Sequence, residues 1–99
     1  MGGETKDTDQ IFMDELKQEF SEAVARNLVE MKQLLQENKL EDIGKIAHDI
    51  KGTSGIFVGL HEGTEIAHEL VQATRNGEVK KTKKLIDKLA DYMKEQGIV

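Results

Sequence analysis

The fold is decided by residues 43–57, whose sequence is IGKIAHDIKGTSGIF. Apolar side chains recur there at steps of three and four residues, a spacing that places them on one face of an α-helix. Asn38 precedes the segment as a candidate N-cap, and Glu41 follows three residues later, as in a capping box. The pattern predicts a helix whose apolar face consists of Ile43, Ile46, Ala47, Ile50, Ser54 and Phe57.

The residues before this segment carry the same periodicity. Apolar side chains between Ile11 and Leu35 predict either one long helix or two helices broken near Phe20, with Asp7 or Asp9 as the N-cap. Residues 1–8 are polar and have nothing to bury, so we interpret them as a flexible leader.

Two further amphipathic segments follow at 66–74 and 79–93, and Asn76-Gly77 between them suits a left-handed cap. None of the apolar faces can be buried without the others. We therefore predict an all-α fold, an antiparallel four-helix bundle with an additional N-terminal helix or helical extension. The bundle spans 9–96 and is followed by a tail at 97–99.

Composition excludes several classes of protein. A length of 99 residues predicts one domain, and the absence of cysteine excludes disulfides. The chain also contains no proline. Nineteen acidic residues against fourteen Lys and Arg give a net charge of −5, which argues against a nucleic acid partner. No apolar run is long enough for a membrane span and no signal region opens the chain, so we expect a cytoplasmic setting. The lysines of 80–84 are interpreted as a solvated helix face.

Glycines surround one histidine on the decisive segment. With Ile43 at zero on a helical wheel, His48 falls near about 140°, and four glycines fall between about 100° and 180°. They are Gly44, Gly52, Gly55 and Gly59. Glycine in a helix interior costs about 1 kcal/mol relative to alanine, so this face must allow something to approach closely. Either another protein reaches His48, or a neighbouring helix of the same domain packs there and the histidine is incidental.

A nucleophilic role for His48 follows from its chemistry. Imidazole is largely neutral and nucleophilic near neutral pH, and it can accept a phosphoryl group by in-line displacement. Lys51 lies three residues later on the same edge, where its ammonium could neutralise phosphoryl oxygens.

Metal binding and ATP chemistry have weaker support. Glu65 and His68 have the ExxH spacing of di-iron carboxylate bundles, but those need two such motifs and two more inward glutamates. We expect no metal site. Nothing resembles a glycine-rich nucleotide loop, so we expect the chain to have no kinase domain of its own.

The run from Ala47 to Phe57 resembles the signature of histidine-containing phosphotransfer (Hpt) domains, with His, Lys, Gly, Gly and Phe in register. A weaker resemblance covers roughly residues 10–94. It implies a four-helix bundle in which His48 is phosphorylated, Lys51 assists, and Gly52 and Gly55 leave room.

The chain departs from that family's pattern after Phe57. The family usually has a glycine directly there, whereas Val58 intervenes before Gly59. The Glu or Gln that orients the histidine in many members is therefore replaced by Val71 if Val58 is an insertion, and by Leu70 if it is not. With the insertion, His68 matches a histidine of some chemotaxis-kinase domains. Further contributors on that helix are Thr64, His68 and Arg75.

The resemblance implies a phosphorelay intermediate. His48, through Nε2, would accept a phosphoryl group from a receiver domain's phosphoaspartate or from a sensor or hybrid histidine kinase, and pass it to a response regulator. Mg²⁺ would be held by the receiver, and this chain would be a monomer with no cofactor of its own. The glycines and Ile56 would form the docking surface. The alternative is a non-catalytic helical interaction module in which His48 has no chemical role.

Overall fold

The computed structural model describes residues 7–99, with side chains from residue 11 onward. Four α-helices and no strand occur in this part of the chain: α1 (Asp7–Gln36), α2 (Leu40–Ser54), α3 (His61–Arg75) and α4 (Val79–Glu95). Short turns join them, so successive helices run antiparallel. Each helix packs against the next, and α4 closes against α1. The all-α four-helix bundle is confirmed.

Helix α1 is continuous through Phe20 and Ser21, so the predicted break does not occur. Its 30 residues span about 45 Å, roughly twice the length of α2, and its first turns extend beyond the bundle. Phe12 is exposed there, whereas Phe20 and Val24 are buried. The N-terminal feature is therefore a helical extension and not a separate helix.

The N-terminal boundary differs from the sequence-based prediction. Both predicted N-cap residues, Asp7 and Asp9, lie within α1, and so does Thr8 of the predicted leader. Positions 1–6 of that leader lie outside the described residues.

Asn38 ends α1 and does not begin α2, so its predicted role was wrong. Its φ of 59° is left-handed, which asparagine tolerates better than most residues. The N–H of Asn38 donates to the carbonyl of Leu35, and that of Lys39 donates to Leu34, as in a Schellman motif. Lys39 is the N-cap of α2 and makes no side-chain capping bond.

Gly77 closes α3 by the same geometry, as predicted, with φ 69° and Glu78 donating to the carbonyl of Ala73. Gly97 does so after α4. The predicted tail is packed, because Ile98 is buried and its carbonyl accepts a hydrogen bond from Ser21 Oγ. These contacts attach the chain end to α1.

The core forms where the apolar faces meet. Most of the predicted stripe residues are buried; the exposed ones are Ile11 and Phe12 in the first turns of α1 and Val79, the first residue of α4. The largest fully buried side chains are Met31, Ile43, Ile50, Ile66, Leu70, Ile86, Leu89 and Met93. Phe20 of α1 contacts Phe57 beyond the end of α2, with ring centroids 5.1 Å apart. The bundle thus has a mainly aliphatic core, with the buried Tyr92 and one pair of phenylalanines as its aromatic members.

Helix α2 ends at Ser54, three residues before Phe57. Gly59 therefore lies in the turn to α3, where its φ of 98° requires glycine, and its angle on a helical wheel has no meaning. The Tyr92 hydroxyl donates to the Gly59 carbonyl at 3.0 Å. This glycine is explained by the turn.

Candidate functional site

Helices α2 and α3 are held in one antiparallel register by contacts along their length. Lys51 Nζ lies 3.1 Å from His68 Nδ1, and Ser54 Oγ lies 2.7 Å from Thr64 Oγ1. Towards the other end, Gly44 lies against Thr74. His48 falls between these contacts on the same side of α2, and so it faces the C-terminal half of α3.

His48 lies on a groove of about 370 Å³ between the two helices. Stripes from both helices line it: Glu41, Gly44, Lys45 and His48 from α2, and Val71, Thr74 and Arg75 from α3. Val71 and Thr74 are buried and form the floor, whereas the charged residues are exposed at the rims. The imidazole is exposed and makes no hydrogen bond or ion pair with the described side chains of residues 11–99. Its nitrogens are open to a reactant.

Lys51 is half-buried one turn further along α2. An ammonium group can only donate, so its contact with His68 makes Nδ1 of that imidazole the acceptor. The structure thus brings His68 next to Lys51, and it brings Arg75 into the groove of His48.

Thr64 does not belong with this group. Its hydroxyl is paired with Ser54 and also lies 3.3 Å from the carbonyl of Leu60, and Thr64 does not line the groove. Thr64 was predicted at the site because it shares a flank of α3 with His68 and Arg75. It lies about two turns from Val71 along the helix. Its observed role is to join α2 to α3.

The glycines near His48 have different physical reasons. A Cβ on Gly44 would lie 2.6 Å from Thr74 Oγ1, so Gly44 is needed for packing inside the domain. A Cβ on Gly52 would meet nothing within 4 Å, and one on Gly55 would make only ordinary contacts. Both are exposed, and Ile56 beside them is also exposed. Gly52 in the last turn of α2 and Gly55 directly after it thus present open surface to another molecule.

The register of α3 agrees with an inserted Val58. Val71 lines the groove with His48, whereas Leu70 is fully buried in the core. The position facing the histidine is therefore apolar.

The family model of the Hpt domain matches residues 15–96. The chain belongs to the Hpt domain family. Membership places this Hpt domain in the phosphotransfer of two-component systems, whose kinases and receiver domains are the partners of the family. The comparison with curated proteins and that with solved structures yield no significant match.

The matched region includes the whole groove and omits the start of α1. None of the helices described in this Hpt domain is long and apolar enough to cross a bilayer. The ExxH pair is exposed on α3, so Glu65 and His68 do not face the bundle interior as di-iron ligands would. Among the side chains that the structure describes, those of residues 11–99, no three His, Asp or Glu are grouped to hold a metal ion.

Lys45 and Glu41 were not expected at the site of this Hpt domain. Lys45 precedes His48 by three residues, the same spacing by which Lys51 follows it, and this spacing could have indicated Lys45. Glu41 lies one further turn towards the start of α2, and only the groove that it lines together with His48 shows that the two residues are close. The site therefore has more charged side chains at its rim than the motif indicates.

Proposed function

We propose that this Hpt domain is a phosphorelay intermediate that carries the phosphoryl group on His48. The observation that supports the proposal is an exposed imidazole without a hydrogen bond, on a groove with cationic side chains at its rim. A buried structural histidine usually has its ring nitrogens satisfied by hydrogen bonds within the protein, whereas the ring of His48 is exposed. An imidazole with both nitrogens free is available as a nucleophile.

The proposed reaction is a displacement at phosphorus. Nε2 of neutral His48 attacks the phosphoryl group of a receiver's aspartyl phosphate, an N–P bond forms, and the O–P bond to the aspartate breaks. The aspartate leaves as a carboxylate, while Nδ1 keeps its proton and can exchange it with water. The reverse displacement, by the aspartate of a second receiver, passes the group on. Such transfers depend mainly on positioning and on neutralising charge at the phosphoryl oxygens.

This Hpt domain supplies the nucleophile and part of the positive charge. Lys51, steadied by His68, lies one turn from His48 and would approach the phosphoryl oxygens. Gly52 and Gly55 would leave space for the receiver, and Ile56 would add apolar contact. We propose that the Mg²⁺ needed for the transfer is bound by the receiver.

An interaction module without chemistry is the second candidate. The open surface at Gly52 and Gly55, beside exposed Ile56 and Val58, would suit the docking of a partner helix. In that case His48 would be dispensable, whereas a phosphocarrier depends on it completely.

The experiment is transfer from a receiver domain labelled on its aspartate with radioactive phosphate. We expect acid-labile, alkali-stable label on the wild-type protein and none on His48→Gln. His61→Gln is the matched control, because His61 is an exposed histidine outside the groove. Label that persists in His48→Gln would exclude the proposed role, and binding of the receiver without any label would favour the interaction module.

A further inference from the structure

Two cations at the groove have no partner within the described residues. Lys45 and Arg75 line the same groove as His48, one from each helix, and neither forms an ion pair or side-chain hydrogen bond with the side chains described from residue 11 onward. Lys51 differs, because its ammonium contacts His68. The groove therefore holds two exposed positive charges that no ion pair among the described side chains neutralises.

The floor of the groove has no free side-chain hydrogen-bond donor that could bind an anion in place of these cations. The hydroxyl of Thr74 donates to the carbonyl of Val71 at 2.9 Å, so its proton is committed. Val71 itself is apolar and faces His48 where a polar group could have oriented the ring. An anion in the groove can thus be held only from the rims.

We propose that Lys45 and Arg75 form an anion-binding groove that holds the phosphoryl group while it is transferred to and carried by His48. This inference rests on the proposed function and adds to it the residues that bind the phosphoryl oxygens. Arg75 presents a planar fork of donors suited to two oxygens, and Lys45 acts as a point charge from the opposite rim.

The charge of the reacting group explains why two rim cations matter. In phosphoryl transfer negative charge is spread over the three equatorial oxygens, so cations on both sides stabilise the transition state. Glu41 lines the same groove and its negative charge opposes them. We therefore expect loss of either cation to slow the phosphorylation of His48, and loss of the Glu41 charge to accelerate it.

The test uses phosphoramidate, a small anionic phosphodonor that needs no docking surface. Phosphohistidine formation is followed by ³¹P NMR in the wild-type protein and in Lys45→Gln, Arg75→Gln, the double variant and Glu41→Gln. We expect the double variant to react about three- to tenfold more slowly, as two exposed charge interactions imply. Glu41→Gln should react about twofold faster.

Matched controls separate local charge from net charge and from folding. Lys80→Gln and Arg26→Gln remove the same charges from exposed positions outside the groove and should react as fast as wild type. Arg75→Lys keeps the charge and should retain most of the rate. Circular dichroism confirms that each variant is folded.

The outcomes distinguish this inference from the proposed function. If His48 is phosphorylated at the same rate in the folded double variant as in wild type, the anion-binding groove is wrong and the phosphocarrier role stands. Equal slowing by the two control variants would also overturn it. If wild type forms phosphohistidine with neither phosphoramidate nor a phosphorylated receiver, both proposals fail.

Discussion

Alanine substitutions at two glycines of α2 should change stability in opposite directions. At Gly52 an added Cβ meets nothing within 4 Å, so alanine contributes only its higher helix propensity. We expect the free energy of unfolding to rise by about 0.5–1 kcal/mol. At Gly44 the added Cβ would lie 2.6 Å from Thr74 Oγ1, inside van der Waals distance.

The cost at Gly44 can be worked from this distance. Ordinary Cβ contacts begin near 3.4 Å, so the helices or the Thr74 side chain, which is held by its hydrogen bond to the Val71 carbonyl, must move by about 0.8 Å. Overpacking of this kind costs typically about 1–3 kcal/mol, against a propensity gain of about 1 kcal/mol. Gly44→Ala should therefore lower the free energy of unfolding by about 1 kcal/mol, which lowers Tm by about 4–8 °C.

Urea unfolding followed by circular dichroism measures both variants, and Thr74→Ala supplies the control. Removing the Thr74 hydroxyl and methyl relieves the contact, so Gly44→Ala should cost less in that background, with a coupling energy of about 1 kcal/mol. If Gly44→Ala stabilises the protein as much as Gly52→Ala does, the close packing of α2 on α3 is wrong. Gly44 would then belong to the open face beside His48, as the helical wheel predicted.

Three further predictions concern the bundle ends and the site. Tyr92→Phe removes the hydrogen bond to the Gly59 carbonyl and should lower the free energy of unfolding in urea by about 1 kcal/mol; an unchanged midpoint would contradict the bond. Asn38→Gly should leave stability unchanged or raise it, whereas Asn38→Ala should lower it by about 1 kcal/mol because of the left-handed backbone; thermal unfolding compares them, and equal Tm values would contradict the cap. Lys51→Ala should slow transfer from a phosphorylated receiver severalfold without unfolding the bundle; loss of the helical circular dichroism signal would make Lys51 structural.

The helices and the buried faces could be predicted from the sequence because hydrophobic periodicity is local. Ile43, Ala47 and Ile50 repeat at helical spacing, and burial follows once the neighbouring helices have the same pattern. Gly77 was predicted from an equally local signal, because a glycine directly after a helix commonly adopts the left-handed conformation that ends the helix.

The remaining features depend on information that the sequence does not carry locally. Asn38 suits both a helix start and a left-handed helix end, and only the observed φ decides between them. Gly44 was assigned to an open face because Thr74, thirty positions later, is absent from any helical wheel of α2. Lys45 and Arg75 become part of one site only when α2 and α3 are in register.

In the proposed phosphorelay role, His48 alone carries the phosphoryl group. This claim is tested most directly by phosphorylating the protein with a receiver domain and mapping the modified residue by tandem mass spectrometry under neutral conditions. His61 and His68 serve as internal controls, because both are exposed histidines in the same chain. We expect phosphate on His48 and on neither of the others; phosphate on His61 or His68, or on a hydroxyl side chain, would show that His48 is not the sole carrier.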